Sequence, residues 1–208
     1  MSTPAQRMVA EQLLPHGVTD PRVLQAMASV PREEFLAMRM RRHAYEDRAL
    51  AIECGQTISQ PLVVALMIQA AAPQSDDIGL EVGTGSGYAA AVLSRLCRRV
   101  ITIEREPALA EHASETLRRL GFDNVEVAVG DGSEGWPAEA PYNAILVAAA
   151  ARGVPDALIE QLLDGGRMLI PVALAADEPQ DLRIYVRRGM DVSYRSLFPV
   201  LFVPLRTG

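Results

Sequence analysis

The sequence of 208 residues contains no lysine, and the 20 residues counted as lysine plus arginine are all arginine. Chemistry that needs a lysine amine is therefore excluded, which removes Schiff-base catalysis, pyridoxal phosphate enzymes and P-loop nucleotide binding. Only two cysteines are present, Cys54 and Cys97, which are too few for a disulfide framework or a cysteine-rich metal site. We expect both thiols to be buried or half-buried, and we predict no metal site.

The sequence also lacks an apolar run long enough to span a membrane, and its first residues carry no apolar signal segment. The net charge of −6 argues against general binding to nucleic acid. Hydrophobic residues make up 49% of the chain, enough for a sizeable core. We therefore expect a folded cytoplasmic protein that is a monomer and has no nucleic-acid or membrane partner.

The stretch 81–88 reads as the end of a buried strand, a glycine turn and the start of a helix. Gly83, Gly85 and Gly87 allow the backbone to bend sharply and to lie flat against a ligand, where a Cβ would clash. The following helix presents free N–H groups and a positive dipole end to that ligand. Glu104 closes the next apolar run about 20 residues after Gly83, where a carboxylate can accept both hydroxyls of a ribose. The stretch therefore predicts a site for a cofactor that contains a nucleoside.

The glycine spacing distinguishes between two classes of cofactor. The dinucleotide fingerprint is G-x-G-x-x-G after a strand, and Tyr88 occupies the position of its last glycine. Glu81 would also repel a pyrophosphate, whereas S-adenosylmethionine carries no phosphate and has a cationic sulfonium and an α-amino group. The pattern favours S-adenosylmethionine over a nicotinamide dinucleotide. A serine hydrolase is disfavoured because Gly85 stands where G-x-S-x-G requires serine.

Strands and helices alternate after an N-terminal region that reads as helices. Asp20 caps one of these helices, a third begins near residue 33, and Ser59 reads as the N-cap of an apolar helix over 62–72. The helix after residue 155 is expected to include Leu162 and Leu163 and to end at Gly165. Strands are predicted at 78–82, 100–104, 125–129, 142–148, 168–172, 182–188 and 192–203.

This order of elements predicts an α/β fold with a doubly wound, mostly parallel, Rossmann-like sheet. An N-terminal helical segment precedes the sheet, and a C-terminal antiparallel hairpin ends it. We expect a single domain in three parts, 1–74, 75–180 and 181–208. The glycine turn, Glu104 and the turn 130–132 all fall at the carboxyl ends of strands, which is where ligands bind in such sheets.

Segments along nearly the whole length resemble the protein-L-isoaspartate O-methyltransferase family, within the class I S-adenosylmethionine-dependent methyltransferases. GQTISQP at 55–61 is the specific segment, because the glycine turn alone would indicate only a methyltransferase. The segments that carry the resemblance are VPREEF at 30–35, GQTISQP at 55–61, EVGTGSGY at 81–88, GDG at 130–132, GW at 135–136, APY at 140–142, P-x-x-L-x-x-Q-L at 155–162, GGR at 165–167 and FVPL at 202–205.

The resemblance implies that the chain methylates the free α-carboxylate of L-isoaspartyl residues in damaged proteins and peptides, leaving S-adenosylhomocysteine. The resemblance further implies that the methyl ester loses methanol as a backbone nitrogen attacks it to form a succinimide, and that hydrolysis of the succinimide gives in part normal aspartate. Ser59 would be the active-site serine. The residues expected to hold the cofactor are Gln56, Thr57, Ile58, Ser59, Glu81, Gly83, Thr84, Gly85, Ser86, Gly87, Glu104, Arg105, Asp131 and Gly132. The residues expected to contact the peptide are Ile58, Ser59, Leu201, Phe202 and Val203.

Several positions depart from the usual pattern of the family, including Ala173 in place of a usual glycine, and three of them bear on the cofactor or the substrate. The family usually has aspartate in place of Asn143, proline in place of Arg152 and often arginine in place of Leu201. We expect Asn143 near the cofactor edge and the other two residues on the substrate side. Two alternatives stay open, a paralogue that methylates a different peptide carboxylate and a module that binds S-adenosylmethionine without transferring a methyl group. Asp131 also stays open between an adenine ligand and a simple turn residue.

Overall fold

The computed structural model describes residues 2–173 and 179–208, which form helices packed on a large sheet. The α-helices of these residues are α1 (Pro4–Met8), α2 (Pro21–Ser29), α3 (Pro61–Ala71), α4 (Tyr88–Ser94), α5 (Pro107–Arg119) and α6 (Asp156–Glu160). The strands are β1 (Leu50–Ala51), β2 (Thr57–Ile58), β3 (Ile78–Val82), β4 (Arg99–Glu104), β5 (Val125–Val129), β6 (Tyr142–Val147), β7 (Leu162–Val172), β8 (Gln180–Arg188) and β9 (Asp191–Val200).

The main sheet has seven strands in the order β5-β4-β3-β6-β7-β8-β9. The first five in this order are parallel, and β8 and β9 add antiparallel pairs at one edge. After β3, the chain adds β4 and then β5 on one side of it. It then returns and adds β6 on the other side of β3. The carboxyl ends of β3 and β6 therefore lie at a topological switch point, where a crevice forms for a ligand. The predicted fold, including the C-terminal hairpin, is confirmed.

The central parallel strands β3, β4 and β6 are largely apolar and buried on both faces because each face is covered by helices. Neighbouring residues of a strand point to opposite faces, and they accordingly enter two different cores. Val100 packs into the core beneath α3 and α4, and the next residue, Ile101, packs into the core that contains Leu158 of α6. The sheet is thus held from both sides, which fixes the strand ends that carry polar side chains.

The segment that follows residue 155 differs from the prediction. Helix α6 ends at Glu160, and Leu162 pairs with Tyr142 as the first residue of β7. Gly165 has a φ of 82°, and a Cβ on Gly166 would lie 2.8 Å from the Leu163 carbonyl oxygen. The two glycines therefore form an irregularity inside a strand rather than the end of a helix.

Three shorter predictions were also wrong. The helix predicted near residue 33 is a single 3₁₀ turn at Arg32–Phe35, and the last strand ends at Val200 rather than at residue 203. Cys54 is exposed, whereas Cys97 is buried as predicted. Burial raises the pKa of the Cys97 thiol to about 12.

A two-stranded pairing that the sequence did not predict holds the segment 55–61. Leu50 pairs with Ile58 and Ala51 pairs with Thr57 in antiparallel register. Ser59 follows this pairing but is not the N-cap of α3, because Gln60 takes that position. The carboxylate of Asp47 instead accepts a hydrogen bond from the Leu62 N–H in the first turn of the helix, at 3.1 Å.

None of the helices within 2–173 and 179–208 is long and apolar enough to cross a membrane. The division into three parts stays a prediction, and residues 174–178 of its middle part lie outside the described residues.

Gln161 fastens the turn that follows β5 to the end of α6. Its side chain is 7% exposed, accepts a hydrogen bond from the Trp136 N–H and donates one to the Glu134 carbonyl, both at 2.8 Å. We expect Gln161→Leu to lower the free energy of unfolding by about 1–2 kcal/mol, because two part-buried backbone groups lose their partners. Urea denaturation measures the loss. Gln25→Leu, at an exposed position of α2, should change the value by less than about 0.5 kcal/mol, and equal losses in both variants would contradict this assignment.

Candidate functional site

The glycine turn after β3 has a backbone that other residues rarely adopt. The φ angles of Gly83, Gly85 and Gly87 are 91°, 52° and 87°. A Cβ on Gly87 would also lie 3.2 Å from Cδ1 of Leu117 in α5. The turn is pinned to the next strand because the N–H of Gly83 donates to the Ile103 carbonyl at 2.9 Å. It therefore lies flat across the carboxyl ends of β3 and β4.

Glu104, the last residue of β4, is 6% exposed and faces this turn. One carboxylate oxygen accepts a hydrogen bond from the Gly85 N–H at 2.9 Å, and the other accepts one from the Glu106 N–H at 3.1 Å. Each carboxylate oxygen has a second lone pair that can still accept a hydrogen bond. Glu104 can therefore hold the turn and accept hydroxyl groups of a ligand at the same time.

Glu81 lies at the base of the same site and ends a chain of hydroxyl groups. The Thr102 hydroxyl donates to its carboxyl group at 2.6 Å, and the hydroxyls of Thr84 and Thr102 are 2.7 Å apart. Burial raises the pKa of Glu81 to about 8; the hydrogen bond from Thr102 opposes this rise and the negative charge of Glu104 adds to it. A cation bound in the site would favour the ionised form of Glu81.

A cavity of about 830 Å³, counting its open mouth, lies over the turn. The predicted cofactor residues Gly87 and Asp131 are not in its lining. The predicted cofactor residues that line it are Gln56, Thr57, Ile58, Ser59, Glu81, Gly83, Thr84, Gly85, Ser86, Glu104, Arg105 and Gly132.

The Asp131 carboxylate is engaged by neighbouring parts of the chain. One oxygen accepts hydrogen bonds from the N–H and the hydroxyl of Ser133 at 2.9 and 2.7 Å, and the other accepts one from the Gly208 N–H at 2.7 Å. The hydrogen bond from the Ser133 hydroxyl is the main reason that the pKa of Asp131 is lowered. Asp131 thus serves as a turn residue and an anchor for the C-terminal tail, while its contact with adenine stays a prediction.

A second groove opens beside the cavity and is lined by three of the five residues predicted to contact the peptide, whereas Ile58 and Val203 line only the cavity. Leu201 and Phe202 line this groove, while Val203 lines the cavity. Thr57 and Ser59 line both spaces, so the cavity and the groove meet at these residues. The arrangement places a half-buried serine between the cavity and the groove.

The C-terminal tail contributes to the cavity in a way that the sequence did not reveal. Pro204, Leu205 and Arg206 are all in the lining. The N–H of Leu205 donates to the Ala150 carbonyl at 2.8 Å, and Arg206 forms an ion pair with Glu106 at 3.2 Å. No local pattern could predict these contacts, because they join residues about 55 and 100 positions apart that only the sheet order brings together.

Asn143 does not lie at the cofactor edge, so this prediction was wrong. Its side-chain oxygen accepts a hydrogen bond from the N–H of Ile78 at 3.0 Å. Ile78 begins β3 and Asn143 lies at the start of β6, so the contact is at the amino ends of the parallel strands. The departure from the family pattern at Asn143 therefore concerns the opposite edge of the sheet.

The raised pKa of Glu81 predicts a dependence of stability on pH. An acid whose pKa is higher in the folded than in the unfolded state stabilises the fold fully below the unfolded pKa, and this contribution is lost as the pH rises through the folded pKa. With a reference value of 4.5 and a folded value of about 8, the loss falls between these two pH values. Glu81→Gln removes it, so the stability of the variant relative to the original chain should rise by up to about 1.4 kcal/mol per pH unit in this window.

Urea denaturation of both proteins at several pH values measures this difference. Glu111→Gln, at an exposed position of α5, is the matched control for the loss of one carboxylate. A difference between Glu81→Gln and the original chain that stays constant from pH 5 to pH 8 would contradict the assignment.

Comparison with known proteins places the chain in a family. The family model described as Protein-L-isoaspartate(D-aspartate) O-methyltransferase (PCMT) matches residues 4–208. A curated relative from Parvibaculum lavamentivorans, named protein-L-isoaspartate O-methyltransferase, is 50% identical over 193 residues, which cover 92% of this chain and 87% of the relative.

Two solved structures have the same fold as this chain. One, titled protein-L-isoaspartate O-methyltransferase, superposes with a TM-score of 0.89 at 29% identity, and the match covers 97% of this chain and 66% of that chain. The other, a protein of the same name from Plasmodium falciparum in complex with S-adenosyl-L-homocysteine, has a TM-score of 0.83 at 25% identity and covers 97% of this chain and 98% of its own. With its glycine turn, its acidic strand ends and these matches, the chain belongs to the protein-L-isoaspartate O-methyltransferase family.

Proposed function

We propose that this protein transfers the methyl group of S-adenosylmethionine to the free α-carboxylate of L-isoaspartyl residues in damaged proteins and peptides. The observation that carries the proposal is the meeting of the cavity and the groove at Thr57 and Ser59. Methyl transfer from a small cofactor to a peptide requires the donor and the acceptor to meet at one point. The cavity and the groove would bring them together at this junction. Membership of the family supports S-adenosylmethionine as the methyl donor and an isoaspartyl peptide as the acceptor.

The residues of the cavity fit S-adenosylmethionine. Glu104 retains acceptor capacity for ribose hydroxyls, and a Cβ at Gly85 would lie 3.5 Å from Cδ1 of Ile52 and 3.9 Å from the Thr57 carbonyl oxygen. The deeply buried carboxyl of Glu81 suits a cationic ligand better than a phosphate. When bound, S-adenosylmethionine supplies an activated methyl group. The cavity lining contains no lysine, and its two arginines are Arg105 and Arg206, so a phosphate-bearing cofactor would meet the carboxylates of Glu104 and Glu106 at the same place.

The acceptor needs little activation by the protein. A carboxylic acid is already ionised at neutral pH, so no general base is required to prepare it. The task of the protein is to orient the carboxylate and to exclude water. Ser59 is the hydroxyl at the junction, and we assign it the role of a hydrogen-bond donor to the acceptor carboxylate rather than of a nucleophile.

The groove gives a specific reason to consider a second acceptor. Arg152, where the family usually has proline, is in the groove lining together with Leu201. A cation at this place favours peptides that carry negative charge. A protein that methylates a peptide carboxylate other than that of isoaspartate is therefore the alternative function.

Transfer of radiolabelled methyl groups to a pair of synthetic peptides tests the function. We expect methylation of a peptide with one L-isoaspartyl residue and none above background of its twin with normal aspartate, and the ester should be released by mild base. Equal labelling of both twins would favour the alternative acceptor. Absence of labelling in both, with S-adenosylmethionine bound, would overturn the proposal.

Replacement of the junction hydroxyl tests the role of Ser59. We expect Ser59→Ala to lower kcat by at least about tenfold, because a hydrogen bond to the reacting carboxylate is lost, and to leave the Kd for S-adenosylmethionine within about twofold. Steady-state kinetics and calorimetric titration measure the two effects. Ser193→Ala, at an exposed position of β9, is the control. A large loss of cofactor binding with unchanged turnover at saturation would refute the orienting role.

A further inference from the structure

Arg32 is a buried cation outside the cavity and the groove. It begins the 3₁₀ turn Arg32–Phe35, and its exposure is 0%. Within the residues that the structure describes, no ion pair joins it to a carboxylate. One guanidinium nitrogen, Nη1, is buried without any hydrogen-bond partner among those residues. A charge placed in this way is costly to bury, so its presence calls for a function.

The guanidinium contacts three separate segments of the chain. Its Nε–H donates to the Ala44 carbonyl and its Nη2–H donates to the Ser59 carbonyl, both at 2.7 Å. Its Cζ lies 4.6 Å from the centre of the Tyr88 ring, as in a cation–π contact. Tyr88 begins α4 directly after the glycine turn and also lines the cavity. One side chain thus joins the peptide group of Ser59 to the end of the glycine turn.

The other side of the Ser59 segment is also fixed by a polar side chain. The Asp47 carboxylate accepts hydrogen bonds from the Gln60 side chain at 2.7 Å and from the Leu62 N–H at 3.1 Å. Asp47 therefore holds the residues after Ser59, while Arg32 holds the carbonyl of Ser59 itself. Fixing that carbonyl fixes the plane of the following peptide and limits the directions in which the Ser59 side chain can point.

The bonding of Arg32 argues against a role in stability alone. Burial lowers its pKa, although a guanidinium stays charged in proteins. An apolar side chain of similar length would fill the same space without an unpaired buried donor, but it would leave two backbone carbonyls without a hydrogen-bond partner. What an apolar side chain cannot do is donate to the Ala44 and Ser59 carbonyls at once.

We propose that Arg32 is a positioning residue that holds the Ser59 peptide in register with the glycine turn, so that the Ser59 hydroxyl meets the acceptor carboxylate at the mouth of the cavity. The inference rests on the proposed function, because the role of Ser59 belongs to it. It assigns a purpose to the segment VPREEF, which lies outside both the cavity and the groove.

A double-mutant cycle between Arg32 and Ser59 tests the proposal with the full-length protein. We expect Arg32→Met to lower kcat for an isoaspartyl peptide by about tenfold and to leave the Kd for S-adenosylmethionine within about twofold. In the Ser59→Ala background the same change should lower kcat by less than about twofold, because the hydroxyl that it positions is gone. Arg32→Lys should restore part of the loss. Arg22→Met is the control, since Arg22 also donates to a backbone carbonyl, that of Pro73, but does not contact the Ser59 segment.

Hydrogen–deuterium exchange supplies a measurement that needs no activity. The backbone N–H groups of residues 56–60 and 62 should exchange at least about tenfold faster in Arg32→Met than in the original chain. Their exchange rates should be unchanged in Arg22→Met. Equal fractional losses of kcat in both Ser59 backgrounds, an unchanged kcat, or unchanged exchange would overturn the proposal. If Arg32→Met does not fold, Arg32→Lys enters the same cycle; its loss of kcat should be smaller than about tenfold but still greater in the original chain than in the Ser59→Ala background, and equal losses in the two backgrounds would overturn the proposal. If the original chain methylates no isoaspartyl peptide, the proposed function fails, and the exchange result still decides whether Arg32 holds the segment.

Discussion

The hydrogen bond from the Gly85 N–H to the carboxylate of Glu104 is the interaction on which the site depends. It joins a turn that only glycine readily adopts to the end of the neighbouring strand, and so fixes the two strand ends that form the base of the cavity. A buried carboxylate requires such a partner, and a backbone N–H in a tight turn requires an acceptor. Each group is therefore the hydrogen-bond partner of the other, and the carboxylate can still accept hydrogen bonds from a ligand.

The other wall of the site comes from parts of the chain that are distant in sequence. The pairing of β1 with β2, the carboxylate of Asp47 and the guanidinium of Arg32 hold Ser59 from the N-terminal side. The C-terminal tail closes the opposite side and is fastened to Asp131 by its last residue. The cofactor side is thus built on the ends of parallel strands, and the acceptor side on loops that those strands support, which is a common division of roles in α/β proteins.

The parts predicted correctly from sequence are those decided by local pattern. Buried parallel strands must be apolar throughout, and so β3 to β6 were recognisable, as were the glycine turn and the family. The start of β7 was missed because Leu162 and Leu163 fit helical spacing equally well, and only pairing with Tyr142 decides for a strand. The location of Asn143, the pairing that holds Thr57 and the tail at the cavity depend on tertiary contacts, for which a single sequence carries no signal.

The central claim is that the cavity over the glycine turn binds the methyl donor with its reactive end toward Ser59. A crystal structure of this chain with S-adenosylhomocysteine tests it most directly. We expect ligand density in the cavity, with the Glu104 carboxylate contacting the ribose hydroxyls and the sulfur facing the junction of cavity and groove at Thr57 and Ser59. Density in the groove alone, or a sulfur on the side of Arg105 with Ser59 untouched, would contradict it.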